Sequence, residues 1–165
     1  YLSDNTMTIK AGDDGIHASG DLIIDNGTYK VEKSTEGIEG KSVTINGGNI
    51  DVYATDDGVN AANANASQSE IFFKMTDGTL NVEVGQGDTD PIDSNGDIIV
   101  SGGTINLTGQ SGFDFDGSAT YTGGDITING EKQTKIENSM PGGGGPQGDG
   151  GPQGGGQPGG FGGGH

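Results

Sequence analysis

The sequence predicts an all-β fold, a right-handed parallel β-helix in which each coil of about 21 residues contributes three short strands. The first observation is a repeated motif of an acidic residue, a glycine, an apolar residue, a variable residue and a small residue. It occurs at residues 13–18, 35–40 and 56–61, and in degenerate form at residues 89–94 and 110–115. The second observation is composition, because 28% hydrophobic residues, 36 glycines and no cysteine favour a thin core repeated along an axis.

Apolar residues at alternate positions predict the strands of each coil. In the first strand, the apolar and the small residue of the motif point inward. The second and third strands each contribute two inward columns, and between them lies a glycine-containing turn in which a positive φ is expected. The columns of the second strand are Leu22, Val43, Phe73, Ile98, Ala119 and Ile24, Ile45, Met75, Val100, Tyr121, and those of the third are Tyr29, Ile50, Leu80, Ile105, Ile126 and Val31, Val52, Val82, Leu107, Ile128. The preferred hand of parallel crossovers makes the predicted helix right-handed.

A polar loop and a polar ladder complete the predicted coil. The extra residues between the third and fourth motif copies fall mainly at residues 61–69, which we interpret as a loop at one corner. A column of polar residues beside the glycine turn predicts a ladder of side-chain hydrogen bonds. Its members are Asp25, Asn46, Thr76, Ser101 and Thr122.

The repeat defines the predicted domain organisation. We expect residues 1–137 to form the β-helix domain, as part of a longer helix, and residues 138–165, which are rich in Gly, Pro and Gln, to be a flexible tail or linker. The chain begins within the running pattern, so we expect any signal peptide to lie upstream or to have been removed.

The charge of the chain limits its partners. The formal net charge is −17, and all of its basic side chains other than two histidines are lysines. This balance excludes nucleic acid as a partner and disfavours an anionic membrane surface. No apolar run approaches the length of a membrane-spanning helix. The absence of cysteine is compatible with secretion without establishing it.

Two acidic columns are predicted on the outer side of the first strand. The variable residue of each motif copy lies between two inward residues and must therefore face outward. This outward column is His17, Glu39, Asn60, Asp93 and Asp114, and a second column before the glycine is Asp14, Glu36, Asp57, Asp90 and Ser111. Adjacent coils lie ~4.8 Å apart, and two unit charges at that distance repel by about 3 kcal/mol at an effective dielectric constant of about 20. Either some of these carboxylates are protonated, or cations between the coils neutralise them.

Calcium is the cation that fits these columns best. It takes about six to eight oxygen ligands, which carboxylates on neighbouring coils, an asparagine and turn carbonyls can supply. Few histidines and no cysteine argue against zinc, copper or iron, and we interpret His17 as a surface residue at the end of its column. The alternative is that the acidic residues only populate solvated turns. The predicted ligands are Asp13, Asp14, Glu36, Glu39, Asp56, Asp57, Asn60, Asp88, Asp90, Asp93 and Asp114.

The motif copies at residues 12–18, 36–39, 56–61, 92–96 and 113–117 follow one another in a specific order. This succession resembles a family of secreted bacterial carbohydrate-binding domains. Members of that family look like pectate-lyase-type β-helices that bind cellulose and acidic sugars such as polygalacturonate, with calcium and without established catalysis. The resemblance covers the chain from about Thr8 to Gly130.

The resemblance implies a non-catalytic extracellular module, secreted or attached to the cell surface, that binds calcium and plant cell-wall polysaccharide. Two departures predict weaker or rearranged sites, because Pro91 follows Asp90 where the family has glycine, and Ser111 occupies the fifth acidic position. The residues add a mechanism for binding acidic sugars. Bound calcium with open coordination positions can bridge an anionic polysaccharide to a protein of net charge −17.

Two alternative functions stay open. One is a calcium-dependent polysaccharide lyase of the pectate-lyase type, and the other is an adhesin or stalk segment that calcium only rigidifies. A lyase commonly uses arginine or lysine as its base, and here Lys41 is the lysine closest in sequence to the acidic columns. A hydrolase with paired carboxylates from Asp57, Asp90 or Asp93 fits a regular ladder poorly.

Sugar contacts are predicted at few positions. Tyr53 and Phe72 are outward-facing aromatic residues that can stack on a sugar ring, whereas Phe113 is predicted in the core. On the inserted loop, the polar side chains that can hydrogen-bond sugar hydroxyls are Asn63, Asn65 and Gln68.

Overall fold

The computed structural model describes residues 1–87 and 89–139, which form a parallel β-solenoid of about six turns. This confirms the predicted fold class. The predicted metal ligand Asp88 and residues 140–165, which are nearly all of the predicted tail, lie outside the described residues. Within the described part of the chain, no helix is long and apolar enough to cross a membrane.

The described coils consist of fifteen strands and one short 3-10 turn. In chain order they are β1 Asn5–Lys10, β2 Ile16–Ile24, β3 Gly27–Lys33, β4 Ile38–Ile45, β5 Asn49–Ala54, β6 Val59–Ala61, the 3-10 turn Gln68–Glu70, β7 Phe72–Met75, β8 Thr79–Val84, β9 Ile92–Ser94, β10 Asp97–Val100, β11 Thr104–Thr108, β12 Phe113–Phe115, β13 Ala119–Tyr121, β14 Asp125–Ile128 and β15 Glu131–Gln133.

The strands stack into three walls. Wall 1 contains residues 16–18 of β2, residues 38–40 of β4, and then β6, β9 and β12. Wall 2 contains the second halves of β2 and β4, followed by β7, β10 and β13. Wall 3 contains β1, β3, β5, β8, β11 and β14. The prediction of three strands in every coil holds from β6 onward, whereas β2 and β4 each run through walls 1 and 2 as one strand.

The predicted inward columns form the core in the predicted register. On wall 2, Val43 pairs with Leu22 on one side and with Phe73 on the other. These three residues are at most 3% exposed. Fully burying one such side chain contributes about 1.5–3 kcal/mol, so the stacked columns are the main source of stability. The columns end at the last coil, where Ala119 and Tyr121 are only half-buried.

Close packing of neighbouring coils requires the glycine of the acidic motif. A Cβ at Gly37 would lie 2.2 Å from the carbonyl oxygen of Gly58 and 2.2 Å from Cγ1 of Val52. A Cβ at Gly58 would in turn lie 2.6 Å from the carbonyl oxygen of Pro91, which replaces the glycine in the fourth copy. The close approach of the next coil therefore requires a glycine at this position of the motif.

The glycine turns between walls 2 and 3 have the predicted backbone conformation. Gly48, Gly78, Gly103 and Gly124 have φ values of 92°, 91°, 84° and 95°. Side chains with a Cβ rarely adopt this region, so these positions keep glycine in every coil.

The predicted polar ladder beside this turn forms over three coils and then ends. Asn46 Nδ2 donates to Asp25 Oδ1 over 2.7 Å, and Thr76 Oγ1 donates to Asn46 Oδ1 over 3.1 Å. Ser101 instead donates to the backbone carbonyl of Met75 over 3.5 Å. The hydroxyl of the short serine side chain thus bonds to the backbone of the preceding coil rather than to the side chain of the preceding rung.

An antiparallel strand covers the C-terminal edge of wall 3, and the repeat pattern does not distinguish this strand from the coils. β15 pairs with β14 in antiparallel register. The two residues between them, Asn129 and Gly130, have φ values of 52° and 81°. Two successive positive φ values match a type I′ hairpin turn. The hairpin pairs an edge that would otherwise be open to other strands.

Replacing Gly37 by alanine is expected to destabilise the domain by roughly 2–3 kcal/mol, because the added Cβ would collide with the backbone of the next coil. Denaturant unfolding of the two proteins measures the difference. Gly20→Ala is the matched control, since nothing lies within 4 Å of a Cβ at Gly20. Equal destabilisation by both substitutions would show that close packing is not the reason for the motif glycine.

Candidate functional site

The predicted outward column of wall 1 is aligned across all five motif copies. Parallel pairing places His17 beside Glu39, Glu39 beside Asn60, Asn60 beside Asp93, and Asp93 beside Asp114. The two residues of each pair are one strand spacing apart, and their side chains project from the same surface. We call this outer surface of wall 1, together with the column before the motif glycine, the acidic wall.

Backbone hydrogen bonds also align the second column. Gly15 N donates to the Glu36 carbonyl, Gly37 N to the Asp57 carbonyl and Gly58 N to the Asp90 carbonyl, each over 2.9 Å. The acidic residue before each glycine therefore stacks on the next one. Asp13 and Asp56, one position earlier, are exposed at the rim.

Four carboxylates form a central cluster on the acidic wall: Asp57, Asp90, Asp93 and Asp114. Burial, and after it the neighbouring charges of Asp57, Asp114 and Asp90 in that order, raise the pKa of Asp93 to about 7. Burial likewise raises the pKa of Asp57 to about 6, with repulsion from Asp56, Asp90 and Asp114. The folded chain thus holds the carboxylates of Asp57 and Asp93 in a place where their ionised forms are unfavourable.

Asn60 places an unpaired acceptor within the acidic wall. Its Nδ2 donates to Glu36 Oε2 over 3.0 Å, while its Oδ1 is buried and has no hydrogen-bond partner among the described residues. A buried acceptor without a partner costs about 1–3 kcal/mol. Together with the neighbouring carboxylates, this amide oxygen forms a set of ligands that contains only oxygen atoms. Such a set suits a hard divalent cation such as calcium.

The fifth position of the second column replaces charge with a hydrogen bond. Ser111 Oγ donates to Asp90 Oδ1 and lies 3.2 Å from the carbonyl oxygen of Thr89. Asp90 also donates its backbone N–H to Asp57 Oδ1 over 2.8 Å. The departure at Ser111 therefore removes one charge and holds Asp90 in place.

At the other end of the acidic wall, His17 contacts two carboxylates. Its Nδ1 is hydrogen-bonded to Glu39 Oε2 and lies 3.2 Å from Asp14 Oδ2. One ligand atom from each of the three residues lies within 4.8 Å of the others. The hydrogen bond to Glu39 raises the pKa of His17 despite some desolvation. His17 was predicted at this surface position but outside the ligand set, although its place beside Glu39 in the column signalled the contact.

The predicted sugar-binding residues do not converge on one surface. Tyr53 projects from wall 3 and is 38% exposed, whereas Phe72 is half-buried on wall 2. The inserted loop between β6 and β7 carries the other three, and there Asn63 Oδ1 accepts a hydrogen bond from the backbone N–H of Asn65 over 2.9 Å. Gln68 begins the 3-10 turn and is exposed. Phe113 is 1% exposed, which confirms its predicted place in the core.

The fold and the acidic wall define a repeat-built binding domain that presents aligned polar side chains from successive coils. The family of carbohydrate-binding domain-containing proteins matches residues 4–142, so the chain belongs to that family and has a carbohydrate-binding role. Comparison with curated proteins and with solved structures finds no significant match.

In the presence of chelator, the domain is expected to lose stability as the pH rises from about 4 to about 7. The pKa of Asp93 is about 7 in the folded domain, compared with 3.8 for an unperturbed aspartate. The folded state therefore binds more protons than the unfolded state across this window. Protonation of Asp93 stabilises the fold, and this stabilisation is lost as the pH rises through the folded-state pKa. We expect the Tm at pH 8 to be roughly 5 °C or more below that at pH 5.

Thermal unfolding of wild type and Asp93→Asn at both pH values measures this effect. The variant cannot ionise at this position, so its Tm should change less with pH. An identical pH dependence of the two proteins would contradict the assignment of the effect to Asp93.

Proposed function

We propose that this domain is a non-catalytic extracellular module that binds calcium on the acidic wall and binds an acidic plant cell-wall polysaccharide through that calcium. The single observation that carries the proposal is the central cluster, whose aligned carboxylates lie beside the unpaired Oδ1 of Asn60. Polygalacturonate is the polysaccharide class that fits best, and cellulose is a second candidate.

The central cluster supplies what calcium requires. Calcium binds about six to eight oxygens at roughly 2.3–2.6 Å and tolerates irregular geometry. Asp57, Asp93 and Asp114 offer carboxylate oxygens from three successive motif copies, and Asn60 adds an amide oxygen. A bound cation would favour the ionised carboxylates that burial now disfavours. The raised pKa values of Asp57 and Asp93 therefore support a cation site.

Calcium also explains how an acidic polysaccharide approaches an acidic protein. The chain has a net charge of −17, so direct contact between uronate carboxylates and the acidic wall is repulsive. A divalent ion with free coordination positions reverses the local charge and can bind carboxylates on both molecules. Sugar binding on this wall is then dependent on calcium.

Non-catalytic binding is favoured over cleavage by the state of the charged residues. A lyase would use a basic residue near the sugar, but Lys41 forms an ion pair with Asp21 at 3.1 Å. A hydrolase separates the pKa values of its two carboxyl groups, whereas burial raises the pKa of both Asp57 and Asp93. A stalk stiffened by calcium would bind the ion without binding polysaccharide.

Calcium is expected to bind the folded domain and raise its Tm, because a ligand bound only by the native state stabilises it. Asp93→Asn should weaken calcium binding about tenfold or more, as measured by calorimetric titration at pH 8. In chelator at the same pH, this variant should be more stable than wild type, because it removes a buried charge. The two opposite effects distinguish a lost ligand from a damaged fold.

Glu131→Gln is the matched control, since it removes an exposed carboxylate on β15, away from wall 1. Its calcium affinity should equal that of wild type. Equal losses in Asp93→Asn and Glu131→Gln would show that calcium responds only to the diffuse charge of the chain.

Calcium is expected to strengthen the retention of the domain on immobilised polygalacturonate, and chelator to reverse that gain, without cleavage of the polymer. Pull-down assays measure retention, and absorbance of unsaturated chain ends measures lyase activity. Asp93→Asn should lose the calcium-dependent part of the retention, while Glu131→Gln should keep it. New unsaturated ends would instead identify a lyase. Calcium binding with no retention would favour the stalk, and retention on cellulose in chelator would make the calcium structural.

A further inference from the structure

We infer that the outer surface of wall 3 is a second carbohydrate-binding site, which binds a short uronate-containing oligosaccharide directly and without calcium. This surface forms a groove of about 810 Å³. A volume of roughly 300–1,000 Å³ is typical of ligand sites. From β1 to β11 the groove crosses four coil-to-coil steps, about 19 Å at ~4.8 Å per step. The inference rests on the carbohydrate-binding role of the family and does not require the calcium bridge.

A ladder that begins at the Asp51 carboxylate and continues through amides and a hydroxyl forms the floor of the groove. Asn81 Nδ2 donates to Asp51 Oδ1 over 2.6 Å, and Asn106 Nδ2 donates to Asn81 Oδ1 over 2.8 Å. Thr127 extends the ladder by donating to Asn106 Oδ1 over 2.7 Å. Each amide has two N–H donors and two acceptor lone pairs, so the ladder leaves one of each for a ligand. Sugar hydroxyls need this paired donor and acceptor capacity.

Tyr53 provides an aromatic surface above this floor. It lines the groove and projects outward from β5, where it pairs with Glu83 on β8. Among the described residues, the large hydrophobic side chains with comparable or greater exposure are Tyr1 and Met7, both near the N-terminal end. A tyrosine ring stacks on the apolar face of a sugar ring while its hydroxyl stays in water.

Lysines give the groove a positive end. Lys10 Nζ lies 3.0 Å and Lys30 Nζ 3.2 Å from different oxygens of Glu32, so two ammonium groups share one carboxylate. Lys33 also lines the groove and has no ion-pair partner among the described residues. Glu83 lies on the other side of Tyr53, farther along the groove. The groove is therefore positively charged at its lysine end and negatively charged at Glu83. A sugar carboxylate is attracted to the lysine end.

These features together define the ligand. A uronate carboxylate at Lys33 and a sugar ring on Tyr53 would place neighbouring hydroxyl groups over Asn81. A neutral oligosaccharide would gain the stacking and the hydrogen bonds but not the charge interaction. Acidic oligosaccharides are thus the preferred class.

Calorimetric titration of the whole chain with tetragalacturonate in chelator and low salt tests this site. We expect saturable binding that Tyr53→Ala weakens about tenfold and Lys33→Gln weakens about threefold to tenfold. Glu83→Gln should strengthen binding, because it removes the negative charge next to Tyr53. Lys135→Gln is the matched control: it also removes one positive charge, but from the segment after β15, and should leave the affinity unchanged.

The absence of binding in chelator would overturn the inference, as would equal effects of Lys33→Gln and Lys135→Gln. Equal affinity for neutral cellotetraose would overturn the assigned ligand class. Asp93→Asn separates the two sites, since it should remove only the calcium-dependent binding. If binding in chelator persists while calcium adds nothing, the bridge on the acidic wall is wrong and the groove stands.

Discussion

The stacking of coils at one strand spacing is the constraint on which the rest of the structure depends. Inside the solenoid, it places Val43 between Leu22 and Phe73 and requires a glycine at position 37. Outside, the same register holds Asp93 beside Asp114, ~4.8 Å away along the axis. The carboxylates have no freedom to separate while the core remains packed. Stability of the core therefore works against the repulsion on wall 1.

The chain relieves part of this repulsion with neutral donors. Asn60 donates to Glu36, and Ser111 donates to Asp90, so charge does not occupy every position of the two columns. The repulsion is only partly relieved around Asp93, whose pKa is raised more than that of Asp57. The remaining unfavourable charge is concentrated at one place rather than spread along the wall. That concentration is what gives a divalent cation an advantage over monovalent counterions.

Alignment of the repeat predicts most of the fold, because one correct alignment fixes every column of a parallel solenoid at once. The neighbours of Asp93 and the buried columns could therefore be predicted from the sequence. Side-chain contacts could not, since rotamers decide whether His17 turns toward Asp14. The groove on wall 3 was also missed. Its lysines come from different outward positions, and Lys10 joins Lys33 only after a register shift that follows Ile9.

The two outer surfaces differ because a solenoid coil can change its outward residues without changing its core. In the consecutive strands β5 and β6, Tyr53 faces outward on wall 3 and Asn60 faces outward on wall 1. They belong to different sheets, so substitution of one leaves the register of the other intact. Affinity for a cation and contact with a sugar ring can consequently vary independently within one coil. A short repeat with few apolar residues is thereby able to carry two kinds of binding chemistry on a single core.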